Sequence, residues 1–342
     1  MNKNKEAINY LYASDDNFAK VLGVSLYSLF ETNNDNICNV FIISQQISAQ
    51  NKKRLIAIEK KFNVKDKIKF IEMPSFDELI GEKVDIKRYS ASMFSRILID
   101  TLLPKDIKKV IYLDCDTMVV KSLLDMWKYP LNGKIFGAIN DYRSIAYQKN
   151  LGIKDENCYI NSGVLLIDLE KYRKEKMEKL LVDAIKKYNG ILEFPDNDAI
   201  CKIAQDEIKL LPLKFNVTSV FFMTNYQELN RLRKPHIKVS FSEYKDAIEN
   251  PSIVHFTTCF LMKGRPWIQE CNHPLVNHYI EIYKNTKWAS EPLSEEVITS
   301  KKKIRNIIIK LFPRRIMILG CGIVHSYLKP LFQKSKLKPT RN

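Results

Sequence analysis

The chain has 342 residues, 45% hydrophobic and 27% charged, which are the proportions of a globular protein with a sizeable core and exclude a disordered or fibrous chain. Its formal net charge is +16, yet twelve Lys or Arg and no Asp or Glu lie from Lys301 onward, so the first 300 residues are only mildly basic. Overall charge therefore gives little support to a nucleic-acid-binding role, and no nucleic-acid-binding module is visible. Seven cysteines, never in a C-x-x-C pair, and the polar opening MNKNKEAINY point to a reducing, cytoplasmic setting. A disulfide framework and a zinc site of paired cysteines are disfavoured for the same reason. No apolar run reaches the roughly 20 residues of a membrane-spanning helix; IMILGCGIVHSYL (316–328) is too short.

Strand-like and helix-like segments alternate over the first 130 residues. INYLYAS (8–14) reads as a strand, and NFAKVLGVSLYSLFETN (17–33) as a helix with Phe18, Val21, Leu22, Leu26 and Leu29 at helical spacing. NVFIIS (39–44) is the second strand and SAQNKKRLIAIEKKF (48–62) an amphipathic helix. KIKFIEM (67–73) is the third strand, ASMFSRILIDTLL (91–103) a helix stopped by Pro104, and KVIYLDCD (109–116) the next strand. This alternation predicts parallel strands joined by crossover helices, an open doubly wound α/β sheet. Ligands of such sheets bind beyond the carboxyl ends of the strands, where SDD (14–16) and DCD (114–116) both fall.

KIFGAIND (134–141) and YINSGVLLIDL (159–169) are further strands, the second leading into a helix, KYRKEKMEKLLVDAIKKY (171–188). FPDNDAICKIA (194–204) is a short loop followed by a helix start, and SIVHFTT (252–258) a late strand. HPLVNHYIEIYKNTKWA (273–289) is a helix and EPLSEE (291–296) a linker. There is no internal repeat and no low-complexity tract.

In VIYLDCDTMVV (110–120) two carboxylates end an apolar run. One D-x-D proves little, because nineteen aspartates in 342 positions give about one by chance. The context adds weight. No G-x-G-x-x-G follows the first strand, no G-x-x-x-x-G-K-[ST] occurs, and only ten glycines are available to build a phosphate cradle. A phosphorylated ligand would then be met by a divalent cation on carboxylates, since hard oxygen ligands suit magnesium or manganese. Asp114 and Asp116 lie two apart, facing one side of a strand or converging in the turn that leaves it. His255, in SIVHF, is the third candidate ligand, and an imidazole beside two carboxylates favours manganese over calcium. The ordinary structural readings are a turn or helix cap for the aspartates and a satisfied core residue for His255.

ASDDNF (13–18), YLDCDTMV (112–119), YINSGVLLIDL (159–169), FPDNDAI (194–200) and HFTTCFLMKGRPW (255–267), in this order, resemble the family 8 retaining glycosyltransferases. That family includes bacterial lipopolysaccharide galactosyl- and glucosyltransferases, general stress proteins and glycogenin. The resemblance covers roughly residues 7–285 and implies a GT-A-type fold, a single open, mostly parallel twisted sheet flanked by helices. It implies that Asp114, Asp116 and His255 hold Mn²⁺, with Mg²⁺ as the alternative, against the diphosphate of a UDP-sugar. It assigns Ala13, Asp15 and Asn17 to uracil and ribose, and Arg96 to the sugar and diphosphate region. Asp141, Asn161, Ser162 and Gly163 would line the donor sugar, with Cys115 counted among the donor-binding residues. Asp196, Asn197 and Asp198 would lie beside the reacting anomeric carbon, although an acid there also suits a helix N-terminus.

Two departures from the family pattern stand out. The family's H-[YF]-x-G-x-x-K-P-W segment is longer here, and Arg265 precedes Pro266-Trp267, so Arg265 is the expected phosphate-binding cation and Lys263 the alternative. Asn197 stands where the family's lipopolysaccharide galactosyltransferases carry glutamine. The resemblance further implies retention of anomeric configuration. Same-face attack by the acceptor hydroxyl is preferred, with a covalent intermediate on Asp196 or Asp198 left open.

These readings give a catalytic domain over 1–290, a linker over 291–300 and a tail over 301–342. In the tail, Ile304, Ile307, Ile308 and Leu311 form one apolar stripe among Lys301, Lys302, Lys303, Arg305 and Lys310. Such a basic amphipathic helix suits the plane of an anionic membrane surface; packing on the catalytic domain is the plainer reading. The expectation is a peripheral enzyme on the inner face of the cell membrane. It moves galactose or glucose from a UDP-hexose to a saccharide or lipid-linked saccharide acceptor, in lipopolysaccharide or other surface-glycan synthesis. A sugar-phosphate nucleotidyltransferase is the nearest rival, but ASDDNFAKVLG lacks the Gly- and Arg-rich phosphate loop such enzymes need.

Overall fold

The computed structural model describes residues 6–81, 91–188, 191–296 and 299–336. The strands are β1 (Ala7–Asp15), β2 (Ile37–Gln45), β3 (Ile68–Glu72), β4 (Lys109–Leu113), β5 (Thr117–Val119), β6 (Phe136–Asn140), β7 (Ile160–Asp168), β8 (Ile208–Leu210), β9 (Val217–Thr218) and β10 (Ile253–His255). Seven form one sheet in the order β3-β2-β1-β4-β7-β6-β8, and the other three a small sheet, β5-β10-β9. In the large sheet only β7 runs against its neighbours β4 and β6; the remaining pairs are parallel. This is the expected α/β architecture.

The two-residue period of β1 explains its place in the sheet. Ile8, Tyr10 and Tyr12 point into one core with the helix Ala19–Thr32, whereas Leu11 and Ala13 point into the other with Phe94 and Ile97. A strand buried on both faces reads as a continuous apolar run, and its polar end, Ser14–Asp15, is what emerges at the carboxyl edge.

Two expected helices are broken. ASMFSRILIDTLL forms a 3₁₀ turn over Ala91–Arg96 and a short helix over Ile99–Leu102, because Arg96 is drawn inward to side-chain partners. The expected helix 171–188 is two, Leu169–Lys174 and Met177–Tyr188, with Lys176 between them in the left-handed region (φ +52°). The helices Tyr226–Arg233 and Phe241–Glu249 lie in a stretch whose short polar segments give no strong periodicity.

The small sheet joins distant segments. Thr117 opens β5 directly after Asp116, and β10 pairs with it so that His255 stands opposite Thr117. One short ladder therefore brings residues 116 and 255 together.

Residues 291–296 are laced to the body: Arg54 binds Glu291 at 2.7 Å, and Gln269 N donates to Ser294 O at 3.0 Å. The tail follows as helices Ser300–Leu311 and Arg314–Ile323, a π-helical turn Val324–Leu328 and a helix Lys329–Lys336; residues 337–342 lie outside the described residues. Ile318 joins the core with Leu229 and Leu232, and Gly322 sits so close that a Cβ there would lie 2.6 Å from Arg231 O. The opposite side is bare. Twelve of the eighteen exposed large hydrophobics among the described residues lie between Ile304 and Phe332, with Leu311 at 70% and Phe332 at 71% exposure. No helix among the described residues is long and apolar enough to cross a membrane.

Candidate active site

A cavity of about 540 Å³ opens along the sheet edge where β1 and β4 end and β7 begins, a size suited to a small-molecule ligand. Each element delivers its part in the spatial order of the strands. β1 brings Ala13 and Asp15; the turn after β4 brings Asp114, Cys115 and Asp116; β7 brings Asn161, Ser162 and Gly163; and the end of β6 brings Asp141. His255 comes from β10, Arg96 from the 3₁₀ turn, Asp196 and Asn197 from the first turn of the helix Pro195–Ile203, and Arg265 from the loop after β10. Among the residues named from the sequence, Asn17, Asp198 and Lys263 do not line this cavity.

Asp114, Asp116 and His255 offer three ligand atoms that all lie within 4.8 Å of one another. His255 Nε2 is 3.1 Å from Asp116 Oδ1 and 3.8 Å from Asp114 Oδ2. A backbone N–H fixes the imidazole's orientation. Gly163 N donates to Asn161 Oδ1 at 3.0 Å, and Asn216 Nδ2 donates to the same oxygen at 2.9 Å. Asn216 Oδ1 is therefore left as an acceptor, 3.0 Å from His255 Nδ1. Nδ1 carries a proton, and in the neutral ring the Nε2 lone pair faces the carboxylates, as a metal ligand requires.

Gly163 gives a further indication of fit. A Cβ at this position would lie 2.3 Å from His255 Cε1 and 2.6 Å from Asp114 Oδ2, so only glycine leaves the three ligands room to converge. Two carboxylates and one imidazole form a donor set that suits Mn²⁺ or Mg²⁺.

The electrostatics are those of a site built around positive charge. Burial raises the Asp114 carboxyl even though Arg96 opposes it. Burial also acts to raise Asp116, but His255 and Arg265 outweigh it and hold that carboxyl at about 2. Burial lowers the His255 imidazole, yet Asp116 and Asp114 reverse the effect and leave it above the usual histidine value.

Arg96 is a hub. Its guanidinium reaches Asp114 Oδ1 at 2.7 Å, Asp196 Oδ2 at 3.1 Å and Ser162 O at 2.8 Å, over the Tyr112 ring. Burial alone would lower its pKa, but Asp114, Tyr112 and Asp196 raise it, so the cation is permanent. Arg265 Nη1 lies 3.0 Å from Asp116 Oδ2, whereas Lys263 is exposed and offers only its backbone N–H, to Asn272. Of the two alternative cations, Arg265 is the one at the cavity. Asn17 is exposed in the turn after β1; Asp15 there caps Phe18 N at 3.0 Å.

The loop acids divide. Asp196 faces the cavity, while Asp198 accepts from Tyr159 at 2.6 Å and Tyr147 at 3.1 Å and caps Phe194 N at 3.1 Å. Asn197 spends both ends of its amide on β7, accepting from Ser162 N at 2.6 Å and donating to Ile160 O at 3.0 Å. The helix-cap reading thus describes Asp198, which is 1% exposed, and Asn197 positions the strand that carries Ser162.

Burial pushes the Asp198 carboxyl up to about 6, despite the lowering effect of Tyr159, Phe194 N–H and Arg143. A carboxyl raised above its unfolded value holds its proton more tightly in the fold. Ionising it therefore removes stability as pH rises from about 4 through about 6, by roughly 3 kcal/mol in all. Denaturant unfolding of Asp198→Asn against wild type should show the gap moving toward the variant by about 2 kcal/mol between roughly pH 4.5 and 7.5. A gap independent of pH would contradict the raised carboxyl.

Several residues that line the cavity or support its wall carry no sequence signal of their own. Arg143 follows Asp141 and binds its Oδ2 at 2.8 Å, Tyr112 donates to Asp114 Oδ1 at 2.9 Å, and Asn216 orients His255. Arg233 and Thr218 also line the cavity. Alternation places Tyr112 on the Asp114 face of β4, a usable hint. Arg233 sits at the end of a helix that periodicity did not reveal.

The comparisons agree with this geometry. The sequence profile described as "Glycosyl transferase family 8" matches residues 9–271. General stress protein A of Bacillus subtilis is 28% identical, over 83% of this chain and 95% of its own. A lipopolysaccharide 1,2-glucosyltransferase of Escherichia coli K12 is 21% identical, over 89% of this chain and 86% of its own. The fold matches the galactosyltransferase LgtC, solved with donor and acceptor sugar analogues, with TM-score 0.68 and 21% identity over 87% of this chain and 100% of that one. Five ordered sequence blocks come together around one cavity on a GT-A sheet, and the profile spans all five of them: the chain belongs to glycosyltransferase family 8.

Proposed function

We propose that the chain moves a hexose, galactose or glucose, from a UDP-sugar to a saccharide acceptor with a divalent metal ion, Mn²⁺ or Mg²⁺, and retains the anomeric configuration. The observation that carries this reading is the convergence of Asp114 and Asp116, from the turn between β4 and β5, with His255, from the distant β10, at one wall of the cavity. These three hold the ion, which when bound supplies positive charge to the diphosphate of the departing nucleotide. The 1,2-glucosyltransferase and galactosyltransferase relatives supply the two sugars considered.

The remaining roles fall to the chain's own groups. Ala13 and Asp15 hold the nucleoside at the β1 end. Arg265 adds a cation where charge grows on the leaving phosphate, and Arg96 locks Asp114 and Asp196 in place so that little reorganisation accompanies reaction. Asp141, Asn161 and Ser162 present the mix of acceptors and donors that sugar hydroxyls need, with Gly163 leaving the space and Cys115 the floor. The acceptor hydroxyl attacks from the face the nucleotide leaves and gives its proton to a UDP oxygen. The covalent alternative rests on Asp196, since Asp198 has both oxygens engaged. Screening UDP-sugars for UDP release with and without EDTA tests the reading. Release of pyrophosphate instead, or no metal-dependent UDP release from any donor, would sink it.

The same proposal places the enzyme on the inner face of the cell membrane, acting on a lipid-linked saccharide. Support comes from the exposed apolar side of the tail, with Ile304, Ile307 and Leu311 on its first helix and Ile316, Leu319 and Ile323 on its second. Those side chains are flanked by cations, each adding about 1 kcal/mol beside anionic lipid. Truncation after Glu296 should abolish sedimentation with phosphatidylserine-containing vesicles while donor hydrolysis persists. Unchanged vesicle binding would refute the attachment.

A further inference from the structure

Arg233 is a cation with no counter-ion of its own. It lines the cavity at the end of the helix Tyr226–Arg233, yet its buried Nε has no hydrogen-bond partner, and among the described residues it forms no ion pair. Beside it stands Arg143, whose Nε is already held by Asp141 Oδ2 at 2.8 Å. Arg143 is clamped from other sides by the rings of Tyr147, Tyr159 and Phe194, at 5.4, 5.5 and 4.8 Å. One carboxylate thus serves two guanidiniums. Burial, then Arg143, lower the pKa of Arg233 by more than Asp141 raises it, as expected for a charge that is only partly compensated. A half-buried cation whose Nε is buried without a partner is costly to maintain, and a fold that keeps one facing a cavity is poised for an anion.

The backbone holds this pair in place. Tyr142, between Asp141 and Arg143, is forced into the left-handed region (φ +58°), with its N–H held by Asn140 Oδ1 at 2.8 Å. Strain of this kind persists where surrounding structure fixes it and clusters at functional sites. On the other side, Ser326 of the tail donates to Arg233 O at 3.2 Å.

Position in the sheet says which ligand the anion belongs to. Along β1-β4-β7-β6 the cavity runs from Ala13 and Asp15, past the Asp114–Asp116–His255 trio, past Asn161, to Asp141 and Arg143. A donor lying nucleoside-first along that line puts its diphosphate at the trio and its sugar at Asn161. What lies beyond, at Arg143 and Arg233, is the acceptor. We propose that the acceptor saccharide carries an anionic group, a phosphate or a carboxylate, and that Arg233, with Arg143 beside it, binds that group. This rests on the sugar-transfer reading above and adds the chemical class of the acceptor.

The test loads the full chain with Mn²⁺ and UDP and titrates methyl glucoside, glucose 6-phosphate and glucuronic acid by calorimetry. At least one charged hexose should bind ten-fold or more tightly than methyl glucoside, and the better of the two distinguishes phosphate from carboxylate. Arg233→Met should erase that preference with UDP affinity within two-fold of wild type, and Arg233→Lys should restore part of it. Equal binding of charged and neutral hexoses by wild type, or a preference that survives Arg233→Met, overturns the proposal. So does an Arg233-dependent preference for UDP-glucuronate over UDP-glucose, which would assign the anion to the donor. Failure of the wild type to bind UDP with Mn²⁺ would instead remove the sugar-transfer reading, and this inference with it.

Discussion

Asp116→Asn is expected to lower metal-dependent transfer by about a thousand-fold, the scale seen when one preorganised charge or donor is removed from a developing anion. Asparagine matches the volume and keeps one oxygen, so the loss isolates charge. Asp116 faces His255 at 3.1 Å and Arg265 at 3.0 Å, and without its charge both face a neutral amide. The imidazole then loses the first of the carboxylates that raise its pKa. Stability should fall by no more than about 2 kcal/mol, since Arg265 is 29% exposed and water can take up its charge. Steady-state kinetics against Mn²⁺ concentration, with unfolding as control, separates the two effects. Near-normal turnover at saturating metal would show that Asp116 is not a ligand.

Gly163→Ala is the second large effect. The added methyl carbon must stand 2.3 Å from His255 Cε1 and 2.6 Å from Asp114 Oδ2, distances no real contact allows. Neither neighbour moves freely: His255 is tied to Asn216 and Asp114 to Arg96. Glycine here is set by close approach, because no left-handed φ is involved. The expected result is a metal affinity lowered about 10- to 100-fold and a fold weakened by about 1–3 kcal/mol. Mn²⁺ titration of the folded variant checks it, and an unaltered affinity would mean that the trio does not act as one site.

The site was legible where the chemistry is carried by residue type at short spacing. Asp114 and Asp116 announce themselves at the end of an apolar strand, and a glycine beside Asn161 and Ser162 fits a crowded approach. His255 could be offered as a third ligand, but without the family resemblance a core histidine was the plainer reading, because the β5–β10 ladder that makes them neighbours consists of strands of three residues each. Strands that short leave little periodic trace. Arg143, Arg233 and Asn216 were invisible for a related reason, since their significance lies in partners far away in the chain.

The roles of the two loop acids could not be divided from spacing. Asp196 and Asp198 sit two apart in the first turn of a helix, and only the positions of Tyr147, Tyr159 and Arg96 decide which faces the cavity. Likewise, the reversal of β7 leaves no mark on its own sequence, because a strand buried on both faces has the same apolar run in either direction. The breaks at Arg96 and Lys176 were missed because tertiary demands override helical periodicity at those points. The tail's stripe was legible, but its anchoring through Ile318 and Gly322 to the helix that ends in Arg233 was not.

Crystals soaked with MnCl₂ and UDP and measured for anomalous scattering test the central claim most directly. The expected result is one manganese peak bonded by Asp114, Asp116 and His255, each within about 2.5 Å, with both phosphates of UDP on its open side. UDP bound with no metal at these residues, or manganese held elsewhere in the cavity, would contradict it.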